Sequence, residues 1–196
     1  VEAAERAVAA LGYDVKRIEA PGTLDGGDVL KYGGRVWVGQ GGRTNEEGLR
    51  QLREHLVPEG AETIGVPLTR VLHLKSAVTA LPDDTLVGLP GLLDTGALPG
   101  MRVAPEEPGA HVVPLGEGRL LMAASAPRSA ELFDDLGFDV VAVDIGEFEK
   151  LEGCVTCLSV LIPQAPSGVV RSIGAIRDLP APLTAADDVK LTGTIT

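Results

Sequence analysis

The sequence predicts an α/β fold assembled from a small unit that is repeated about three times. Helical and extended segments alternate along the chain in units of roughly 35–45 residues. The 25 glycines and 14 prolines separate these segments, which favours many short elements over a few long helices. Such alternation is typical of an α/β architecture of repeated units and not of a β-sandwich.

The first third of the chain begins with a helix of strong helix formers that stops at Gly12. The second helix follows Asn45, a good N-cap residue, and carries leucines along one face. Short apolar or alternating runs bounded by glycine or proline indicate strands. We predict helices at residues 2–11 and 46–56 and strands at residues 14–18, 36–38 and 62–66.

The same pattern recurs in the rest of the chain, up to Pro163. We predict strands at residues 85–89, 102–104, 111–114, 119–123, 139–143 and 155–162, a helix at residues 130–136 and a helical turn at residues 147–151. Past Pro163 the periodicity is weak and alanine, proline, threonine and glycine alternate. We therefore expect a folded domain over residues 1–163 and a tail over residues 164–196.

The composition narrows the classes of ligand. The formal charge is -11, from 28 acidic and 17 basic residues, and no basic cluster is present. This balance argues against nucleic acid and against an anionic membrane surface. A negative field attracts cationic ligands, although a solvated acidic surface is the simpler interpretation. No spanning apolar run or signal-peptide pattern is seen, so we expect a soluble protein of the cytoplasm.

The two cysteines lie three residues apart, at Cys154 and Cys157. A C-x-x-C pair can be a redox couple, but that motif works at a helix N-terminus and here it enters a predicted strand. It can also be half of a zinc site, although the other half is missing. A third interpretation makes one cysteine a nucleophile at the start of the strand. Two small buried apolar residues remain the simplest alternative.

Three histidines could serve as the base for such a nucleophile. His55 lies in a charged helix and is most simply a surface residue, and His111 could be either core or site. His73 lies after an apolar strand end and close to Lys75, a position where polar side chains gather at sites. His73 is therefore the strongest candidate of the three.

Two further segments carry charged residues at corners of the chain. Asp25 and Asp28 flank a glycine pair, which allows a carboxylate to be held at a tight corner, although a hairpin turn with exposed acids is also consistent. Arg43 lies between a strand and a helix and could bind a carboxylate through two hydrogen bonds. An ordinary loop arginine is the alternative.

Four segments taken in order are more specific than any one of them. They read LDGGDVL, GRTN, LHLKS and EGCVTCLSVL, and begin at residues 24, 42, 72 and 152. In this order the chain resembles the dimethylarginine dimethylaminohydrolase family of the pentein, or guanidino-group-modifying, superfamily. The resemblance covers about residues 1–162. It implies an α/β propeller of five ββαβ-type units, of which this chain would contain three to three and a half.

The resemblance also implies a role for each matching residue. Cys157 would be the nucleophile, His73 the general acid and base, and Asp25 the carboxylate that orients His73. Arg43 would hold the carboxylate of the substrate, and the main chain near Leu151 would accept a hydrogen bond from its ammonium group. Cys154 falls where the family commonly has an apolar residue and is expected to be structural.

The implied reaction is hydrolysis of an N-methylated arginine, a small cationic amino acid, to citrulline and dimethylamine. A guanidinium is a poor electrophile, so a thiolate is needed to attack its carbon and form an S-alkylthiouronium. The imidazolium of His73 would protonate the leaving amine and neutral His73 would then activate water. No metal or cofactor is required.

The chain departs from the family pattern at its start. In the family, an earlier segment supplies carboxylates that grip the guanidinium and a second arginine. We expect either that the numbering begins inside a longer protein or that the chain is a truncated product. The alternatives are therefore a deiminase that acts on unmodified arginine and an inactive fragment that acts as a binding module. The sequence leaves a homodimer open.

Overall fold

The fold consists of three small sheets that share one strand order. In the computed structural model the described residues are 2–93, 98, 100–159 and 161. Each sheet contains three strands, which lie side by side in the order in which they follow one another along the chain. In each sheet the second strand lies in the middle. The first strand pairs with it antiparallel, and the third strand pairs with it parallel. The predicted repetition about three times is thus confirmed.

The first unit is the most regular of the three. Strands β1 (Val29–Tyr32) and β2 (Arg35–Gln40) form a hairpin, helix α2 (Glu46–Leu56) follows, and β3 (Glu62–Pro67) returns parallel to β2. Gly33 and Gly34 connect the hairpin with φ values of 58° and 70°. Both residues of a type I′ turn need positive φ, which explains the glycine pair.

The second and third units repeat this strand pairing. The second contains β4 (Val78–Ala80), β5 (Leu86–Gly88) and β6 (Arg102–Val103). The third contains β7 (Val113–Gly116), β8 (Arg119–Ala123), helix α3 (Pro127–Asp135) and β9 (Asp139–Val143). Helix α1 (Glu2–Ala10) precedes the units and helix α4 (Gly146–Glu149) follows them. None of the described helices has the length and apolar character needed to cross a bilayer.

Most predicted elements are present within one or two residues of their expected bounds, but two strands are wrong. Residues 14–18 have no regular structure. Residues 155–158 form a turn, since the N–H groups of Cys157 and Leu158 both donate to the carbonyl of Cys154. Local alternation and apolar character cannot supply the neighbouring strand that a β-strand requires. The predicted tail, residues 164–196, lies outside the described residues.

The buried apolar residues form clusters that cross from one unit to the next. One cluster joins β5 of the second unit to β8 and α3 of the third, and Phe133 at its centre has no exposed surface. Another joins β1 and β3 of the first unit to β4 and β5 of the second. A smaller cluster packs α2 onto β2. Each unit therefore completes its core with residues of its neighbour.

The side chain of Glu106 caps helix α3, which has no N-cap side chain of its own. Its two oxygens accept from the backbone N–H groups of Arg128 and Ser129 at 3.0 and 2.8 Å. Burial raises the pKa of Glu106, but the hydrogen bonds from Ser129 and Arg128 outweigh burial and lower the pKa to about 2. This contact also fixes the short 3-10 helix Glu107–Ala110 that follows Glu106.

We predict that Phe133→Ala lowers the free energy of unfolding by about 3–5 kcal/mol, because it empties a fully buried site between two units. The control is Phe148→Ala, whose side chain is 51% exposed and whose loss is expected to cost less than about 1 kcal/mol. Urea denaturation followed by circular dichroism measures both. Similar losses for the two variants would contradict the assignment of Phe133 to a shared core.

Candidate active site

A buried carboxylate organises the part of the chain that carries the predicted site residues. Asp28 has no exposed surface. Its Oδ2 accepts from the hydroxyl of Thr44 at 2.6 Å, and its Oδ1 accepts from the backbone N–H of Leu74 at 3.0 Å. Burial raises the pKa of Asp28, and these two hydrogen bonds oppose that shift. Asp28 thus joins the loop before α2 to the residue that follows His73.

Asp25 and His73 are in direct contact across this arrangement. Asp25 caps the 3-10 helix Gly26–Asp28 through a hydrogen bond from Gly27 N–H to its Oδ1 at 3.0 Å. Its Oδ2 lies 3.1 Å from Nε2 of His73. Nε2 is buried and makes no hydrogen bond, to Asp25 or to any other group. The pair is therefore an electrostatic contact in which the carboxylate limits how the imidazole can turn.

Glycine is needed where the chain passes His73. A Cβ atom at position 27 would lie 2.7 Å from Cγ of His73, closer than real Cβ atoms approach a ring. A Cβ atom at position 26 would meet nothing within 4 Å. The glycine pair of LDGGDVL therefore serves two different purposes, and only Gly27 is required for the imidazole to lie against the chain.

An open cavity of about 750 Å³ brings several predicted residues together. His73, Leu151 and Cys157 all contribute to its lining, as do Cys154 and His111. Asp25 and Arg43 are not among the lining residues. Asp25 contacts the histidine that lines the cavity, whereas Arg43 is exposed on the loop between β2 and α2. The structure therefore gathers the predicted nucleophile and base, but it does not bring Arg43 to this cavity.

Each unit contributes to the cavity from the same position in the repeat. His73 lies between β3 and β4, and His111 lies between β6 and β7. Cys157 lies beyond β9, the last strand of the third unit. The segment after each parallel strand therefore delivers one reactive or titratable side chain. The repeat therefore explains why these three side chains, which are distant in sequence, line one cavity.

The two cysteines lie in a turn and touch each other. Their Sγ atoms are 3.1 Å apart, and Sγ of Cys154 is also 2.9 Å from the hydroxyl oxygen of Thr156. Cys157 is exposed and Cys154 is half-buried. Burial and the contact with Cys154 raise the pKa of Cys157. A positive charge nearby would act in the opposite direction and favour the thiolate.

Lys75 is a partly buried cation close to the same groups. Burial lowers the pKa of Lys75, and the charges of Cys157, Cys154, Asp25 and Asp28 act in the opposite direction. From the sequence, Lys75 could be identified only as a neighbour of His73. Its position relative to the thiols depends on the fold. Lys75 is therefore one source of positive charge within electrostatic range of the thiols.

The rest of the cavity wall combines apolar residues with several charged side chains. Glu107, Glu149 and Glu152 line it, together with Arg70. His111 also faces it, and its Nε2 is 3.0 Å from the carbonyl oxygen of Ser76. Because a carbonyl oxygen can only accept, this contact assigns a hydrogen to Nε2 of His111. Three carboxylates around a cavity suit a cationic ligand.

Among the described residues, no group of three or more histidine, cysteine, aspartate and glutamate side chains is arranged to hold a metal ion. The side chains that line the cavity supply two thiols, two imidazoles, a guanidinium group and three carboxylates. A thiol and an imidazole that line one cavity, with a carboxylate in contact with the imidazole, are the groups used for nucleophilic attack with general acid-base assistance.

Sequence comparisons relate the chain to characterised proteins, although no protein-family model matches it. A dimethylarginine dimethylaminohydrolase of Streptomyces coelicolor is 62% identical over 157 residues, which is 80% of this chain and 61% of that protein. The enzyme of the same name from Pseudomonas aeruginosa is 35% identical over 149 residues, which is 74% of this chain and 58% of that protein.

Solved structures give the same result. The Pseudomonas aeruginosa dimethylarginine dimethylaminohydrolase, as a Cys-to-Ser mutant complexed with citrulline, has a TM-score of 0.71 and 33% identity. The match covers 80% of this chain and 63% of that structure. An arginine dihydrolase of the cyanobacterial ornithine–ammonia cycle, 19% identical with a TM-score of 0.68, shares the fold.

The chain spans about three fifths of the length of the curated relatives it matches. Within that span, the three sheets with one strand order are consistent with an incomplete propeller. The chain is therefore related to the dimethylarginine dimethylaminohydrolases and has, over the part that aligns with them, the pentein α/β propeller fold.

Proposed function

We propose that the protein hydrolyses an N-methylated arginine to citrulline and a methylamine. The observation that carries the proposal is the cavity where Cys157 lies with His73, whose Nε2 is 3.1 Å from Oδ2 of Asp25. The relationship to enzymes named dimethylarginine dimethylaminohydrolase supports it, as does the citrulline complex of one of them. None of the steps requires a metal ion or an organic cofactor.

In the proposed reaction, Cys157 is the nucleophile. Its thiolate adds to the guanidinium carbon, and loss of dimethylamine leaves an S-alkylthiouronium on the enzyme. Because burial raises the pKa of Cys157, the thiolate needs a nearby positive charge. The cationic substrate supplies one when it binds, and the ammonium group of Lys75 supplies another. Substrate binding therefore favours the thiolate.

His73 acts as acid and then as base. As imidazolium it protonates the departing amine, and as neutral imidazole it removes a proton from the water that attacks the thiouronium carbon. Asp25 keeps the imidazole oriented, as the third member of a catalytic triad does. The buried bond between Asp28 and Leu74 holds the backbone next to His73 in place.

In the proposal, three glutamates of the cavity and two groups predicted from the sequence bind the substrate. Glu107, Glu149 and Glu152 favour the cationic guanidinium. The backbone carbonyl near Leu151 accepts from the substrate ammonium group, since Leu151 lines the cavity and is 83% exposed. Arg43 does not line the cavity. For Arg43 to bind the substrate carboxylate, its loop has to move toward the cavity.

In the proposal, the ligand of this cavity is a small cationic amino acid, and the protein binds neither nucleic acid nor membrane. We propose that the protein is cytoplasmic. A homodimer remains a prediction. An arginine dihydrolase shares the fold, so unmodified arginine is the second substrate to test. An inactive fragment that binds ligands without turnover is the third outcome.

We predict that the chain releases citrulline from asymmetric dimethylarginine and that Cys157→Ser lowers this rate by at least about 1000-fold, because a hydroxyl is a far weaker nucleophile than a thiolate. Cys154→Ser is the matched control, since it changes the same atom three residues away and is expected to keep most of the turnover. Colorimetric citrulline assays measure both variants.

Equal losses in the two cysteine variants would contradict the assignment of Cys157 as the nucleophile. Citrulline release from arginine alone would favour the deiminase. If no substrate is turned over, incubation with S-methyl-L-thiocitrulline tests the nucleophile separately, since a related structure is an adduct with this compound. A covalent adduct on Cys157 and not on Cys154, detected by peptide mass spectrometry, is expected.

We predict that Gly27→Ala displaces the imidazole of His73, because the new Cβ would lie 2.7 Å from its Cγ. The ring signals of His73 in a two-dimensional ¹H–¹³C NMR spectrum should shift, and citrulline release should fall at least about 10-fold as the base leaves its position. Gly26→Ala is the control, since a Cβ there meets nothing within 4 Å.

The two substitutions are chemically identical and adjacent, so a general effect on the 3-10 helix would appear in both. Unchanged His73 signals in Gly27→Ala, or equal shifts in the two variants, would contradict the close packing of Gly27 on the ring.

A further inference from the structure

The contact between the two thiols has a chemistry of its own. Their Sγ atoms are 3.1 Å apart, and a disulfide bond needs about 2.0 Å. The turn brings them together, because the N–H groups of Cys157 and Leu158 both donate to the carbonyl of Cys154. The predicted strand at residues 155–162 would have pointed the two side chains away from one another and argued against a redox pair. The turn removes that objection.

We propose that Cys154 and Cys157 form a reversible intramolecular disulfide when a small-molecule disulfide enters the cavity. Cys157 reacts first: its thiolate attacks one sulfur of the reagent, which forms a mixed disulfide and releases one thiolate. The thiolate of Cys154 then attacks Sγ of Cys157 and releases the second. The two protein thiols lose two electrons and two protons, and the reagent is reduced to two thiols.

The environment of each cysteine supports this order. Cys157 is exposed and Cys154 is half-buried, so an incoming disulfide reaches Cys157 more easily. Both residues line the cavity, which is large enough and open enough to admit a small reagent. The partly buried ammonium group of Lys75 lies within electrostatic range of both sulfurs. Cys154 is then already in place to resolve the mixed disulfide.

The consequence for catalysis rests on the proposed function. If Cys157 is the nucleophile, the disulfide removes it, and the oxidised protein is inactive until a reducing thiol restores it. The formation of the disulfide does not depend on that function, because it requires only the two thiols and the turn. The two claims can therefore be tested separately on the same protein.

The test uses hydroxyethyl disulfide, a small neutral reagent, with the full chain and with Cys154→Ser and Cys157→Ser. The chain has two cysteines, so an intramolecular disulfide can only join this pair. After acid quenching, intact-mass spectrometry of the wild type should show a loss of about 2 Da and no adduct. Each single variant should instead keep one hydroxyethylthio adduct, with Cys157 in Cys154→Ser modified faster than Cys154 in Cys157→Ser.

A comparison with the urea-denatured chain separates the fold from the mere spacing of the cysteines. The mixed disulfide should resolve at least about ten times faster in the native protein, because the turn holds the sulfurs in contact. Wild-type protein that keeps two adducts, links through disulfides between chains, or closes no faster when native would overturn the proposal. Dithiothreitol should return the oxidised protein to its original mass.

Citrulline release provides the second readout. Its loss should follow the appearance of the disulfide and be reversed by dithiothreitol. Disulfide formation without any change in turnover would support the disulfide proposal and overturn the role of Cys157 as nucleophile. A chain with no turnover still tests the disulfide by mass, so failure of the proposed function and failure of this inference are distinguishable.

Discussion

The buried carboxylate of Asp28 is the constraint on which the candidate site depends. A carboxylate without access to water is costly unless its oxygens accept hydrogen bonds. The hydroxyl of Thr44 and the backbone N–H of Leu74 provide them, from segments that are distant in sequence. Thr44 also accepts from the N–H of Asp25. Through Thr44 and Asp28, hydrogen bonds hold the backbone of Asp25 and the backbone next to His73 in place. These bonds bring the two side chains into contact.

The repeated unit explains why the cavity has a mixed chemistry. Each segment that follows a parallel strand contributes to the cavity, so the unit supplies a position and the local sequence supplies the reactive group. Histidine stands at two of these positions and cysteine near the third, as His73, His111 and Cys157. Different chemistry can therefore be placed on the same scaffold by changing these segments while the sheets stay as they are.

Much of the fold could be predicted from the sequence, and the reasons for the failures are physical. Helix α2 and strands β8 and β9 have strong periodicity and clear end residues, and their predicted bounds match those observed. Strands β1 and β4 were missed because they are short and depend on pairing with a neighbouring strand. In the site, the resemblance singled out His73, Asp25 and Cys157. The nearness of Lys75 and the contact between the sulfurs follow from packing, which no spacing along the chain encodes.

The apolar clusters that cross between units have a consequence for recombination among relatives. A clean exchange of one whole unit would cut through a shared cluster and leave two surfaces that no longer fit, since β5, β8 and α3 contribute to one cluster. Exchanging the second and third units together would carry this cluster over whole, because all of its buried residues lie in those two units. In such propellers the smallest segment that can be inherited with a complete core is therefore longer than one unit.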